Sequence, residues 1–368
     1  MRSQCVAVNP KGVARSQRVQ ARVRGGLADA SDPLADLGLE PTPVFDTYWR
    51  FAAKRHAIYE ARQSRLQGPW TSDAILRDHR FTNCYRAADR VSQYLIRNVA
   101  YRGSQEPREV VFRVLLFKFF NRISTWELLE GTVGEIAWSS FDVTLYDKVL
   151  TEAFNNKTRL YSAAYVVPPP ALGATRKHTN HLRLLQKMMN SEIVEKLQAA
   201  ATMEEAYRVI RAYPAIGDFL AYQYLIDVNY STVTDFDEMD FVVPGPGARD
   251  GIRKCFGPRS RGLEAEIIRY MADTQEAQFR RLGLRFDGLA GRPLQLIDCQ
   301  NLFCEVDKYA RVAHPDITGV SGRTKIKQKF APLAEPVEPW FPPKWGLLTE
   351  TAISSGRIAS DQPLLPQS

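Results

Sequence analysis

The chain has 368 residues, 45% of them hydrophobic and 24% charged, an average globular composition that excludes a wholly disordered chain, a collagen-like repeat and a disulfide miniprotein. No apolar run reaches the roughly 18–20 residues of a membrane span; the longest, Val110 to Phe120, is interrupted by Arg113 and Lys118. The net charge of +8 resides at the ends: residues 1–28 carry six cations and 321–330 four, both without an anion, whereas residues 29–320 balance 37 against 37.

Residues 1–43 lack hydrophobic periodicity and are expected to form a disordered basic extension. An Arg-rich, acid-free start also fits a transit peptide, but it lacks an amphipathic pattern, so a cytoplasmic or nuclear location is preferred. The five cysteines form no CxxC pair. A reducing compartment is expected, with neither a disulfide framework nor a structural zinc site. His178 and His181 make an HxxH without an obvious third ligand, so no metal is expected, and no cofactor motif is present.

From Val44 the pattern is helical. Helices are predicted at Val44–Gln67, Asn83–Ala100 and Glu109–Asn121, the last apolar all round and therefore central. Ser124 and Glu127 have the spacing of a capping box for a short helix ending near Glu130. Further helices are predicted at 142–154, 178–199, 203–212, 217–228, 262–282 and 297–311. Strand-like alternation is scarce, and the prediction is a single all-α domain over 44–315. Residues 316–368 form a basic, then Pro- and Trp-rich tail, either a strap held by its aromatics or a loose end.

Tyr213-Pro214-Ala215-Ile216-Gly217, between two helices, has the shape of a helix–hairpin–helix turn, which would direct backbone N–H groups at a DNA phosphate. An ordinary αα-turn has the same shape. In helix–hairpin–helix DNA glycosylases an aspartate follows the hairpin glycine by about twenty residues, where this chain has Asp237. The position of the lyase lysine holds Phe219, which disfavours a Schiff-base mechanism. Gly245-Pro246-Gly247 fits an anion-binding nest before a helix, or a tight connector. No GK[ST] loop occurs, which excludes a P-loop kinase. Arg86, Arg90, Gln93 and Arg97 would share one face of a continuous helix, as phosphate contacts or a solvated stripe. Asn301, Glu305 and Lys308, with Asp298 one turn earlier, form a polar stripe among core positions, for chemistry or for a structural Glu–Lys pair.

Five ordered blocks resemble the helical-domain family of the 5-hydroxymethyluracil (5-hmdU) DNA kinases, also called the α-glutamyl/putrescinyl thymine pyrophosphorylase family. They are Phe81 to Arg90, Phe119-Phe120-Asn121-Arg122, Ile216 to Phe219, Gly245 to Ala248 and Asp298 to Tyr309. The resemblance implies a DNA-glycosylase-like fold acting on hypermodified thymines, with DNA as partner and a separate kinase phosphorylating the same base. The expected reaction is displacement of that (pyro)phosphate by an amine or amino acid. Asp237 or Glu305 would be the base, with Lys308, Asp298 and Asn301 beside them. Arg86, Arg90, Asn121, Arg122, Gly217, Gly245 and Gly247 would contact phosphate, Arg86 and Arg90 together with Lys308 also steadying the leaving group. A monofunctional glycosylase and a noncatalytic DNA-binding module are the alternatives.

Overall fold

The computed structural model describes residue 34 and residues 37–163, 166–331 and 338–347. The basic stretch 1–28, the transit-peptide reading and Cys5 lie outside these residues, as do 332–337 and the chain from 348. Among the described residues the fold is all-α, without strands, and no helix is long and apolar enough to cross a membrane. The chain divides into two compact units, Met1–Cys84 with Val242–Leu333, and Tyr85–Phe241 with Ala334–Ser368.

The first unit contains α1 (Pro43–Gln63), α2 (Ala74–Asp78), α11 (Pro246–Phe256), α12 (Glu264–Arg281) and α13 (Leu296–Ala313). Thr42 starts α1 by accepting the Val44 amide at 3.1 Å, and Pro43 takes the first helical position, where its missing N–H costs nothing. The Tyr48 hydroxyl of α1 donates to the Cys299 carbonyl at 3.2 Å, and its ring meets Phe303 at 4.7 Å. Contact between α11 and α13 is close enough to exclude side chains. A Cβ on Gly251 would stand 2.1 Å from the Phe303 carbonyl oxygen, and one on Gly247 would stand 3.0 Å from Cys304 Sγ. Beside this seam the buried Lys254 ammonium meets Asp307 at 3.0 Å. The basic run 321–330 is tied down: Arg80 N–H donates to the Gln328 carbonyl and Phe330 N–H to that of Asp78, both at 3.1 Å.

The second unit contains α3 (Arg90–Tyr94), α4 (Pro107–Phe120), α5 (Ile123–Val133), α6 (Val143–Asn155), α7 (Lys177–Met189), α8 (Ile193–Ala199), α9 (Met203–Arg211) and α10 (Asp218–Asn229). The predicted central helix is α4, buried from Val110 to Phe120. Residues 338–347 lie on this unit as a strap: Trp340 N–H donates to Gln93 Oε1 at 2.6 Å, and Trp345 meets Tyr230 edge-on at 5.5 Å.

Several local expectations are corrected. The helix predicted over Asn83–Ala100 is a 3-10 turn (Arg86–Ala88), α3 and a π-helical turn (Leu95–Ala100), because Asp89 is extended at φ −72°, ψ 146°. Arg86 and Arg90 therefore do not share one helical face. Ser124 and Glu127 form no capping box; the N-cap of α5 is Arg122, two residues earlier, without a side-chain cap. The helix predicted at 178–199 breaks between α7 and α8, where Glu192 takes φ 58°. His178 and His181 are engaged separately, His178 Nε2 with Thr151 at 2.9 Å and His181 with Tyr161 at 2.8 Å.

Candidate functional site

In the Tyr85–Phe241 unit, the most constrained charges surround Asp227. Its carboxylate accepts from the two terminal nitrogens of Arg86 at 2.7 and 2.8 Å and from Lys118 at 2.7 Å. Lys118 also donates to Asn121 Oδ1 at 3.2 Å, with Asn121 held in the left-handed conformation that ends α4. Burial pushes the Asp227 carboxyl upward, but Arg86 and Lys118 outweigh it and hold the group below the usual range. Burial also lowers Lys118 to about 8, against the pull of Asp227. Arg86 is 3% exposed. Arg86 and Asn121 thus stand inside a buried ionic network rather than on a phosphate-facing surface.

Two of the expected phosphate contacts do come together. Arg90 and Arg122 line one open cleft of about 640 Å³ with Arg97, Gln93, Asn98 and Glu127, and Glu338 from the strap reaches the same cleft. Arg97 pairs only loosely with Glu338, at 3.8 Å. Arg122 Nε is buried without a hydrogen-bond partner. Among the described residues neither Arg90 nor Arg122 enters an ion pair. Guanidinium groups can hold a phosphate or a carboxylate through paired N–H donors, and Glu127 and Glu338 share this cleft with them. Sequence spacing placed Arg97 on the same stripe, but Arg122 joins it only through the turn between α4 and α5.

Between α9 and α10 the chain makes a short turn. Its left-handed residue is Ala215, at φ 62°, rather than a glycine. Gly217 caps α10 at φ −79°, ψ 172°, with open space where a Cβ would be. Neither backbone strain nor crowding requires glycine at 217. Asp237 lies in an exposed loop, where its carboxylate accepts the Met239 amide at 2.8 Å.

The other candidates belong to the first unit. Gly245 caps α11, and Gly247 lies inside its first turn against Cys304, so the expected nest before the helix is replaced by helix–helix packing. Asp298 accepts the Gln295 amide at 3.0 Å in the capping box that starts α13. Asn301 is half-buried on the same helix. Glu305, 6% exposed, accepts from Lys308 at 2.6 Å and from the Thr82 amide at 3.0 Å. Lys308 Nζ stands 5.3 Å from the Phe81 ring centre. A cavity of about 110 Å³ begins at Phe81 and is lined by Arg55, Trp70 and His79 among others, none of which sequence patterning singled out. Asp237 and Glu305 belong to different units.

Comparison with known proteins gives one family. Residues 42–319 match the family described as "5-hmdU DNA kinase, helical domain". The chain is 24% identical over 290 residues to a curated "5-hmdU DNA kinase" of Bacillus phage SP10, a match covering 72% of this chain and 45% of that relative. The chain therefore spans less than half the length of the curated relative it matches. No solved structure matches.

Proposed function

Because the chain belongs to the family of the 5-hmdU DNA kinase helical domain, we propose that it acts on DNA carrying 5-hydroxymethyluracil, with residues 44–315 as the working part. The family match over residues 42–319 is the observation that carries this reading. The arginine cleft at Arg90, Arg97 and Arg122 supports it as a seat for the DNA backbone. The Gly217 hairpin would add a second backbone contact of the glycosylase-like kind.

The reaction we propose is displacement. A separate kinase acting on the same base installs a (pyro)phosphate on the hydroxyl oxygen carried by the exocyclic CH2. An amine nitrogen then attacks that carbon, the C–O bond breaks toward the (pyro)phosphate with its electron pair, and a carboxylate takes the proton lost by nitrogen. Glu305 suits that role better than Asp237, since Lys308 and the Thr82 amide fix its orientation, whereas Asp237 is bound into an exposed turn. Lys308 would steady the charge growing on the leaving group. Access to the CH2 is easiest with the base rotated out of the duplex.

A noncatalytic recognition module is the second reading. The observation favouring it is that Asp298 and Asp237 are engaged as a helix cap and a turn former. The test is mass spectrometry of nucleosides after incubating the protein with phosphorylated 5-hydroxymethyluracil DNA and candidate amines. A new nucleoside mass with wild type, lost in Glu305→Gln while the variant stays folded and keeps its DNA affinity, is the expected result. Unaltered nucleosides despite tight binding select the module, and abasic sites select a glycosylase.

A further inference from the structure

The cavity lined by Phe81 has walls and edges of two different kinds. Trp70, Phe81 and Phe330 supply rings, while Arg55, Arg62 and His79 supply polar groups. Trp70 and Phe330 meet edge to face at 6.4 Å, and the Arg62 guanidinium stands 4.9 Å from the Trp70 ring centre. His79 Nδ1 is buried and has no hydrogen-bond partner. A polar nitrogen desolvated without a partner is uncommon and unfavourable, and a turn of the imidazole that brings it to an occupant of the cavity would remove the penalty. At about 110 Å³ the cavity is smaller than the roughly 300–1,000 Å³ of sites for drug-sized ligands, which limits the occupant to one small ring.

One wall also brings positive charge. Phe330 ends the basic run whose backbone is tied to residues 78–80. Arg323, Lys325, Lys327 and Lys329 of that run are all exposed, and none has an ion-pair partner among the described residues. Rings for stacking, an unsatisfied nitrogen for a base edge and adjacent free cations together match a single unstacked nucleotide.

We propose that this cavity receives an extrahelical pyrimidine of the DNA, with its face against Trp70 and its edge hydrogen-bonded to His79 Nδ1. The inference rests on the reading above that DNA is the substrate. It links that reading to Glu305, since Phe81 of the wall immediately precedes Thr82, whose amide binds the carboxylate.

Two single-stranded oligonucleotides test it, one carrying a single 5-hydroxymethyluracil and one an abasic analogue at that position, titrated against the full chain by fluorescence anisotropy. The wild type should prefer the base-containing strand by about ten-fold, the order expected of one stacked base. Trp70→Ala and His79→Leu should bring that ratio toward one while leaving affinity for the abasic strand unchanged. Trp70→Phe, which keeps a ring, should retain most of the preference and controls for folding. Equal binding of both strands by wild type, or an unchanged ratio in Trp70→Ala, overturns the pocket but not the DNA reading. Binding of neither strand overturns both.

Discussion

Lys118 and Asp227 meet at 2.7 Å in the interior, and the same carboxylate carries the Arg86 guanidinium. Two buried cations thus share one carboxylate. Asp227→Asn keeps the shape but removes the charge that both cations share, and breaking a buried pair costs roughly 3–5 kcal/mol. The variant should lose that much unfolding free energy in urea. A loss under about 1 kcal/mol would mean that water reaches the network.

Glycine positions separate packing from contact with DNA. Gly251→Ala drives a methyl group into the Phe303 carbonyl, so α11 and α13 must move apart, and overpacking of this kind costs typically 1–3 kcal/mol. Its melting temperature should fall clearly. Gly217→Ala meets open space in an ordinary backbone conformation, so its melting temperature should hold or rise. If DNA lies against the hairpin backbone, Gly217→Ala should still weaken DNA binding. Unchanged affinity in that variant would remove the hairpin from the interface.

These contrasts mark where sequence reading stops. The central helix α4, the turn at 213–217 and the Glu305–Lys308 pair were legible, because periodicity, turn residues and i,i+3 spacing are local signals. The fate of Arg86 was not, since its partner lies 141 residues away and a surface arginine has the same local pattern. The glycines of α11 read as a loop nest, because closeness to Phe303 and Cys304 is set by tertiary packing. The cavity was invisible for the same reason: Trp70, His79 and Phe330 meet only when the basic run folds back onto residues 78–80.

Acid should act through His181. Burial, with the Lys177 charge nearby, lowers its imidazole from 6.5 to about 4, despite the hydrogen bond to the Pro168 carbonyl. The unfolded chain therefore takes up a proton near pH 6.5, while the folded chain resists until about pH 4. Stability from this group is complete above pH 6.5 and falls as pH drops through that window, by about 3 kcal/mol in all. Urea unfolding at pH 7.5 and 4.5 should show a smaller acid loss in His181→Gln than in wild type. Equal losses would assign the acid sensitivity to other groups.

Arg90 and Arg122 line the arginine cleft, and neither is paired within the protein among the described residues. If each neutralises one DNA phosphate, each releases about one condensed counterion on binding. Arg90→Gln and Arg122→Gln should each reduce the magnitude of the log–log salt slope of DNA affinity by about 0.9, and together by about twice that. Stability should change little, because neither substitution leaves a buried carboxylate without its partner. Arg86→Gln is the contrasting case: it disturbs the Asp227 network, so it should lower the melting temperature while leaving the salt slope of the folded protein intact. A double variant at 90 and 122 with the wild-type slope would place the DNA backbone elsewhere on the molecule, with the exposed cations of 321–330 as the next surface to test.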